Sequence, residues 1–333
     1  MKKYNVAILG ATGAVGREMI KILEERNFPV ENLVLLASKR SVGLEIEFCG
    51  KKIAVAEATE NSFEGMDIVL GAASNALAKQ MAPHIKAAGA VFIDNSSAFR
   101  MDNDVPLIVP EINPEDAFKH NGIISNPNCS TIITLTGIYA LNKLSPIKSM
   151  IASTYQAVSG AGAAGPVELE EQCKAVLNGE EIKSEVFKHQ IAFNLIPEIG
   201  SASTEDYTTE EMKMQNEGRK IMHLPELNVS CTCVRVPVMR SHSISVIVKT
   251  EEPISVEAAK EAIAKANGCK LVDDLDTHSY PMPLETSNQD TVYVGRIRKD
   301  LTDECGLNIW CCGDQVRKGA ATNAVQIAEL FVK

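Results

Sequence analysis

Cys129 stands in the stretch SNPNCSTIIT (125–134), one of nine cysteines in a chain of 333 residues. It follows a turn pinned by Pro127, and the residues after it set Ile132, Leu135, Ile138 and Leu141 at helical spacing. That spacing places the sulfur at a helix N-terminus, where unpaired N–H groups and the helix dipole favour an anion. A thiolate there is a nucleophile, and the same N–H groups can hold an oxyanion forming on a carbonyl. Such a nucleophile needs a partner for protons. Of the six histidines, His242 lies among cations at the start of a β-patterned run, RVPVMRSHSISVIVKT (235–250). Arginines entering an apolar strand are costly unless they face a polar cleft. Alternation sets Arg240 on the side of His242 and Arg235 on the other, but Pro237 interrupts the register, so either arginine can be the anion anchor.

A second stretch with chemistry in it opens the chain. Asn5–Leu9 is a short apolar strand, Gly10-Ala-Thr-Gly13-Ala-Val-Gly16 a glycine loop, and Met19, Ile20 and Leu23 a helical stripe. Leu33–Ala37 is the next strand, so the order is strand, loop, helix, strand: a βαβ unit. In that context Gly10 permits a tight turn, Gly13 lets a pyrophosphate approach the backbone, and Gly16 lets the helix pack against the sheet. The spacing is GxxGxxG rather than GxGxxG. NAD enzymes tend to carry Asp or Glu at the end of the second strand, for the ribose 2′-hydroxyl. This chain has Ser38-Lys39-Arg40-Ser41 there, two hydroxyls and two cations that suit the 2′-phosphate of NADP.

The elements needed to position these groups alternate along the first 125 residues. Strands are expected at Asp67–Leu70, Ala90–Ile93, Leu107–Val109 and Gly122–Ile124, with a helix at Ala76–Ala88. Short apolar strands with intervening helices imply an α/β fold, a Rossmann-type doubly wound parallel sheet. Beyond about residue 145 the pattern lengthens. Ser149–Val158 and Val229–Arg240, continuing to Thr250, alternate as strands, as do Asp290–Ile297 and Leu307–Cys312. Helices are expected at Val167–Asn178, Thr209–His223 (with Thr208 and Glu211 as a capping box) and Ile254–Ala266. Long antiparallel strands with helices on one face make an α+β second domain. The last helix, 317–332, is expected to return to the first domain. The expected division is residues 1–128 plus about 313–333, and 129–312.

Composition narrows the classes. A net charge of −10 leaves no basic footprint for nucleic acid. No apolar run approaches the length of a transmembrane helix. Nine sparse cysteines fit reduced thiols in a cytoplasmic protein. Cys231-x-Cys233 and Cys311-Cys312 lack zinc-ligand spacing, so no metal site is expected.

PNCST (127–131), YQAVSGAG (155–162), RVPVMRSHS (235–243) and DQVRKGAATNA (314–324), with GATGAVG (10–16) and NSSAFR (95–100), together resemble the aspartate-β-semialdehyde dehydrogenase family across essentially the whole chain. N-acetylglutamyl-phosphate reductases share the architecture but typically carry GCY around the cysteine. The resemblance implies that Cys129 is the nucleophile, His242 the acid/base and Gln156 a residue positioning the acyl intermediate. It gives Arg235 the substrate carboxylate, Glu217 the substrate amine, and Arg100, Asn128 and Lys220 the phosphate. It sets Gly10, Thr12, Gly13, Ala14, Val15, Gly16, Ser38, Arg40, Ser41, Ser74, Ser159, Gly160 and Asn323 at NADP, with Gly319 and Ala320 beside the nicotinamide. The implied reaction is NADP-dependent reductive dephosphorylation of L-4-aspartyl phosphate to L-aspartate 4-semialdehyde through a thioacyl intermediate, by a homodimer. It serves the biosynthesis of lysine, threonine, methionine and diaminopimelate. The rivals are the same chemistry on another acyl phosphate, or a non-enzymatic protein that keeps the scaffold.

Overall fold

The computed structural model describes residues 2–332. It divides into two compact units, one running to Asn128 and resuming at Ala320, the other Cys129–Gly319. In the first unit the chain runs through β1 (Tyr4–Leu9), α1 (Ala14–Glu25), β2 (Val30–Ala37), β3 (Glu45–Phe48), β4 (Lys51–Glu57), β5 (Ile68–Gly71), α2 (Asn75–Ala87), β6 (Val91–Asp94) and β7 (Ile123–Ser125). The strands form one sheet in the order β3-β4-β2-β1-β5-β6-β7, parallel except for the β3/β4 pair. Strand order reverses at β1, and the loops that follow β1, β2 and β5 lie at that switch point, where open α/β sheets bind ligands. Both faces of β1 are covered: Val6 and Ile8 enter one core, Ala7 and Leu9 the other. That is why the strand reads as a continuous apolar run.

Two expectations for this unit need correction. The β3–β4 hairpin was not anticipated. Its turn residues Cys49 and Gly50 both have positive φ (49° and 73°), the twist a two-residue hairpin needs, but Cys-Gly is a weak sequence signal for it. The strand expected at Leu107–Val109 is a single bridge from Leu107 to Ser125. Pro106 and Pro110 bracket the segment, and neither can donate to a ladder.

The second unit runs through α3 (Cys129–Asn142), β8 (Ile147–Gln156), α4 (Ala164–Asn178), α5 (Thr209–Met222), β9 (Asn228–Arg235), β10 (His242–Thr250), α6 (Val256–Ala264), β11 (Cys269–Leu271), α7 (Pro283–Thr286), β12 (Val292–Lys299) and β13 (Gly306–Gly313). Its sheet has the order β11-β12-β13-β10-β8-β9. The expected antiparallel sheet is in fact mixed, since β8/β9 and β11/β12 pair in parallel. The long crossover through α4 and α5 permits the first of these pairings. The expected capping box of α5 is present. Thr208 Oγ1 accepts from the Glu211 N–H at 3.3 Å, and the Thr208 N–H donates to Glu211 Oε2 at 2.7 Å.

The single terminal helix expected at 317–332 is a π-helical turn, Arg317–Ala321, followed by α8 (Thr322–Glu329). Within the first unit α8 packs on α1. Arg26 forks onto Glu329 with two 2.7 Å bonds, and Tyr4 donates its hydroxyl to Phe331 O at 2.9 Å. Among the described residues no helix is long and apolar enough to cross a membrane, and no group of three His, Cys, Asp or Glu is placed to hold a metal.

Candidate active site

Cys129 is the first residue of α3. The helix is buried on every side from Ser130 to Ile138, which fixes its N-terminus firmly. No acidic residue stands in its first turn to compete for the N-terminal N–H groups. His242 Nε2 lies 3.4 Å from Cys129 Sγ. Gly319 also approaches the thiol, since a Cβ there would sit 3.0 Å from Cys129 Cβ.

The sheet brings the remaining groups to the same end. Gln156 closes β8, Arg235 closes β9, and the two are register partners in that parallel pair. His242 opens β10 beside them, fully buried, after Ser241 turns the chain at φ 75°. That left-handed residue separates the two arginines that the interrupted alternation could not place. Arg240 turns away to an ion pair with buried Asp314, at 2.6 Å, while Arg235 stays beside His242. Gly160 is what lets them crowd together: a Cβ there would sit 2.9 Å from Arg235 Nη1 and 3.2 Å from His242 Cε1. Arg235 donates through Nη1 to Ala157 O at 2.6 Å, and its guanidinium lies 5.8 Å from the Phe187 ring centre. The Gln156 amide is held at both ends, accepting from Thr154 Oγ1 at 2.9 Å and donating to Glu210 Oε1 at 3.2 Å. Glu217 is 2% exposed and Lys220 half-buried one turn on, so this pair is not the solvated surface pair that i,i+3 spacing allows. Ser159 accepts from Gln315 Nε2 at the turn that carries Gly160.

Electrostatics at the site follow from burial. Loss of water lowers the His242 pKa to about 3 from its usual value near 6.5, assisted by Arg235 and opposed by Glu210. Burial also weakens the hold of Arg235 on its proton, an effect opposed by Cys129 and Glu210. The folded protein thus refuses a proton that the unfolded chain accepts. Stability contributed by neutral His242 is present above about pH 6.5 and is lost as pH falls toward about 3. Denaturant titrations at pH 7 and near pH 4 should show this as a loss on the order of 3 kcal/mol in the native protein. A His242→Gln variant should lose less over the same interval, and an equal loss would contradict the buried neutral imidazole.

Several residues that build the site were not singled out in the sequence. Glu168, on a helix expected to be merely polar, accepts the main-chain N–H groups of Glu185 (2.8 Å), Val186 (2.5 Å) and Phe187 (3.2 Å). Gln172, one turn later, accepts those of Ile191 (2.8 Å) and Ala192 (3.1 Å). Together they set the loop that lays Phe187 beside Arg235. Glu168→Gln presents amide hydrogens to those donors and should cost about 2 kcal/mol. We expect a melting temperature lower by roughly 4–8 °C, measurable on the purified variant. Glu210 and Ala157 were missed as well; buried partners 50 or more residues away leave no local signal.

In the first unit the glycine loop has the shape expected of it. Gly10 has φ 92°, and a Cβ there would meet Ala72 O at 2.3 Å; one on Gly16 would meet Gly10 O at 2.2 Å. Gly13 precedes α1 with no side chain capping the helix, and Ala14 and Val15 begin it. Those first-turn N–H groups fit a phosphate. Thr12 Oγ1 lies 3.5 Å from Ser41 Oγ, which joins the loop after β1 to the one after β2. Ser38 and Arg40 are exposed there, and Ser74 caps α2 after β5. Arg100 is buried and donates to Asn95 O at 2.8 Å, in a loop where Ser96 bonds Asp94. Burial raises the Asp94 carboxyl above the usual carboxylate range despite those bonds. Asn128 is buried. Asn323 is fully buried and gives its two amide hydrogens to Ile108 O (2.9 Å) and Asn126 Oδ1 (2.7 Å).

The first unit has the Rossmann-type architecture of a nucleotide-binding domain, and the mixed-sheet unit sets a thiol–imidazole pair at a helix start. Comparison with known proteins gives the family. A family model described as "Semialdehyde dehydrogenase, NAD binding domain" matches residues 5–120, and "Semialdehyde dehydrogenase, dimerisation domain" matches 138–318. The aspartate-semialdehyde dehydrogenase of Aquifex aeolicus is 52% identical, covering 99% of this chain and 98% of the relative. That of Synechocystis is 50% identical over 98% and 97%. The crystal structure of aspartate semialdehyde dehydrogenase II of Vibrio cholerae, complexed with ASA, superposes with a TM-score of 0.97 at 44% identity, covering 100% of this chain and 99% of that one. The chain belongs to the aspartate-semialdehyde dehydrogenase family.

Proposed function

We propose that this protein catalyses NADP-dependent reductive dephosphorylation of L-4-aspartyl phosphate to L-aspartate 4-semialdehyde, through a thioester on Cys129. The observation that carries the reading is the 3.4 Å approach of His242 Nε2 to a sulfur at the start of a buried helix, with Arg235 alongside. Cys129 attacks the acyl carbon and phosphate leaves, with the α3 N-terminus facing the developing oxyanion. Arg235 takes the substrate carboxylate, and Gln156, held by Thr154 and Glu210, orients the acyl group. Glu217 takes the amine, and Arg100, Asn128 and Lys220 take phosphate. A reduced nicotinamide cofactor, with its pyrophosphate held at the glycine loop, would supply the hydride. Collapse of the resulting alkoxide releases the aldehyde and returns the thiolate. Such a reaction commits aspartate carbon toward lysine, threonine, methionine and diaminopimelate.

The decisive assay is phosphate-dependent oxidation of aspartate semialdehyde with NADP, followed by absorbance, beside a panel that includes N-acetylglutamate semialdehyde. Activity confined to the latter would move the assignment to the neighbouring reductases. Preference for NADP rests on Ser38, Arg40 and Ser41. Replacing Ser38 and Arg40 with alanine should raise the Kd for NADP about tenfold or more, the effect of one lost charge-assisted pair, and leave that for NAD nearly unchanged. Equal losses for both would overturn the preference. A homodimer through the second unit is supported by the family description and by an apolar groove of about 410 Å³ on its sheet, lined by Tyr155, Met282, Ile309 and Trp310.

A further inference from the structure

Both ring nitrogens of His242 have partners, and one of those partners can only donate. The Ala157 main-chain N–H points at His242 Nδ1 from 3.0 Å. Nδ1 must therefore present its lone pair, and a neutral imidazole holding one proton carries it on Nε2. That nitrogen faces Cys129 Sγ at 3.4 Å. The opposite tautomer would set two N–H groups head-on in a fully buried pocket, with neither satisfied. An imidazolium would meet the same clash and add a charge beside Arg235. The peptide that enforces this is itself clamped. Ala157 O accepts from Arg235 Nη1 at 2.6 Å, and the next residue, Val158, donates its N–H to Val238 O at 2.9 Å.

We propose that Ala157 is a positioning residue whose main-chain N–H locks His242 in the Nε2–H tautomer, so that the imidazole donates to a Cys129 thiolate and does not take the proton from the thiol. The acid/base role that the family resemblance implies for His242 thereby narrows to that of a hydrogen-bond donor. The charged and titratable groups around the ring are Cys129 from α3, Arg235 from β9 and Glu210 from α5. Burial and Arg235 both disfavour a second proton on the ring, in agreement with the geometry.

The atoms balance without a proton passing through His242. The thiol proton goes to water before substrate arrives. Sulfur then forms a bond to the acyl carbon, the C–O bond to phosphate breaks with its electron pair, and the departing phosphate takes a proton from water. After hydride reaches that carbon, the alkoxide reforms C=O and the C–S bond breaks, returning its pair to sulfur. The thiolate that begins the cycle ends it, each time facing the same Nε2–H. This sequence rests on the proposed function; the tautomer does not, because it belongs to the free protein.

The test uses the full-length protein carrying 15N-labelled histidine, with the His242 signals identified by their absence in His242→Gln. We expect a protonated Nε2 and a bare Nδ1 throughout about pH 5 to 8, where an ordinary histidine titrates. A proton on Nδ1, or on both nitrogens, overturns the proposal. A second arm replaces Ala157 with lactate, which exchanges this N–H for an ester oxygen and leaves the side chain unaltered. The proton should then move to Nδ1, and alkylation of Cys129 by iodoacetamide at neutral pH should slow about tenfold, the loss of one hydrogen bond to a charged group. A shifted tautomer with unchanged alkylation would show that the imidazole does not hold the thiolate. Absence of turnover with aspartate semialdehyde would defeat the proposed function and leave both readouts intact.

Discussion

Cys129→Ala is expected to abolish turnover, by roughly ten-thousand-fold or more, the scale seen when a covalent nucleophile is removed. The reason is chemical rather than architectural. Alanine has the same Cβ and a high helix propensity, and the sulfur is not part of a close-packed core, being only partly buried. The variant should therefore melt within a few degrees of the parent and bind NADP with unchanged affinity, since the glycine loop lies in the other unit. Residual activity within tenfold would reject the thiol as nucleophile. Alkylation offers an independent check. Cys231, Cys311 and Cys312 are buried, and their surroundings push each thiol up and away from the reactive thiolate. Cys129, at its helix start, should be alkylated ahead of all three and be protected by substrate.

Arg235→Lys is the second large effect, and it falls on binding. The guanidinium is planar and donates in a fixed fork, which an ammonium cannot copy. In this site Arg235 also carries its bond to Ala157 O and its stacking beside Phe187. Lysine keeps the charge and loses all three features. KM for aspartate semialdehyde should rise about thirty- to a hundredfold, equivalent to about 2–3 kcal/mol, with a smaller change in kcat. If the variant altered only the dependence on inorganic phosphate, Arg235 would belong to the phosphate site instead. Arg240→Lys is the control. Its partner is buried Asp314, so it should cost stability and leave KM nearly unchanged.

The parts of this molecule that could be read from its sequence share a short range. The GATGAVG loop lies between a strand and a helix that adjoin it in the chain, so strand, turn and helix announce one another within 25 residues. The capping box of α5 is a three-residue relation and was equally plain. Cys129 at a helix start was visible for the same reason. The hidden features depend on partners far away in the chain. The parallel pairing of β8 with β9 leaves no mark on either strand, because alternation is the same for both directions. Glu168 and Gln172 look like solvated helix positions until the loop at 183–192 closes over them. The separate surroundings of Arg235 and Arg240 could not be read from the sequence by counting, because they depend on the positive φ of Ser241. Leu107–Val109 shows the opposite failure. It is as apolar as a strand, and its flanking prolines, which were in plain view, deny it a ladder.

The first unit is assembled from two stretches of chain, with about 190 residues of the second unit between them. The stretch that returns brings Ala324, Val325, Ile327 and Ala328 into its core. A ribosome working at roughly 5–20 residues per second therefore needs on the order of ten seconds or more, after releasing β7, before that core can close. During this interval the second unit is being made, and the core of the first lacks the residues that its own C-terminal stretch contributes. Closure of the first unit's core thus waits until synthesis is nearly finished. A stop codon between the end of β13 and α8 would yield a protein that carries Cys129, Gln156, Arg235 and His242 and lacks the residues that complete the first unit's core.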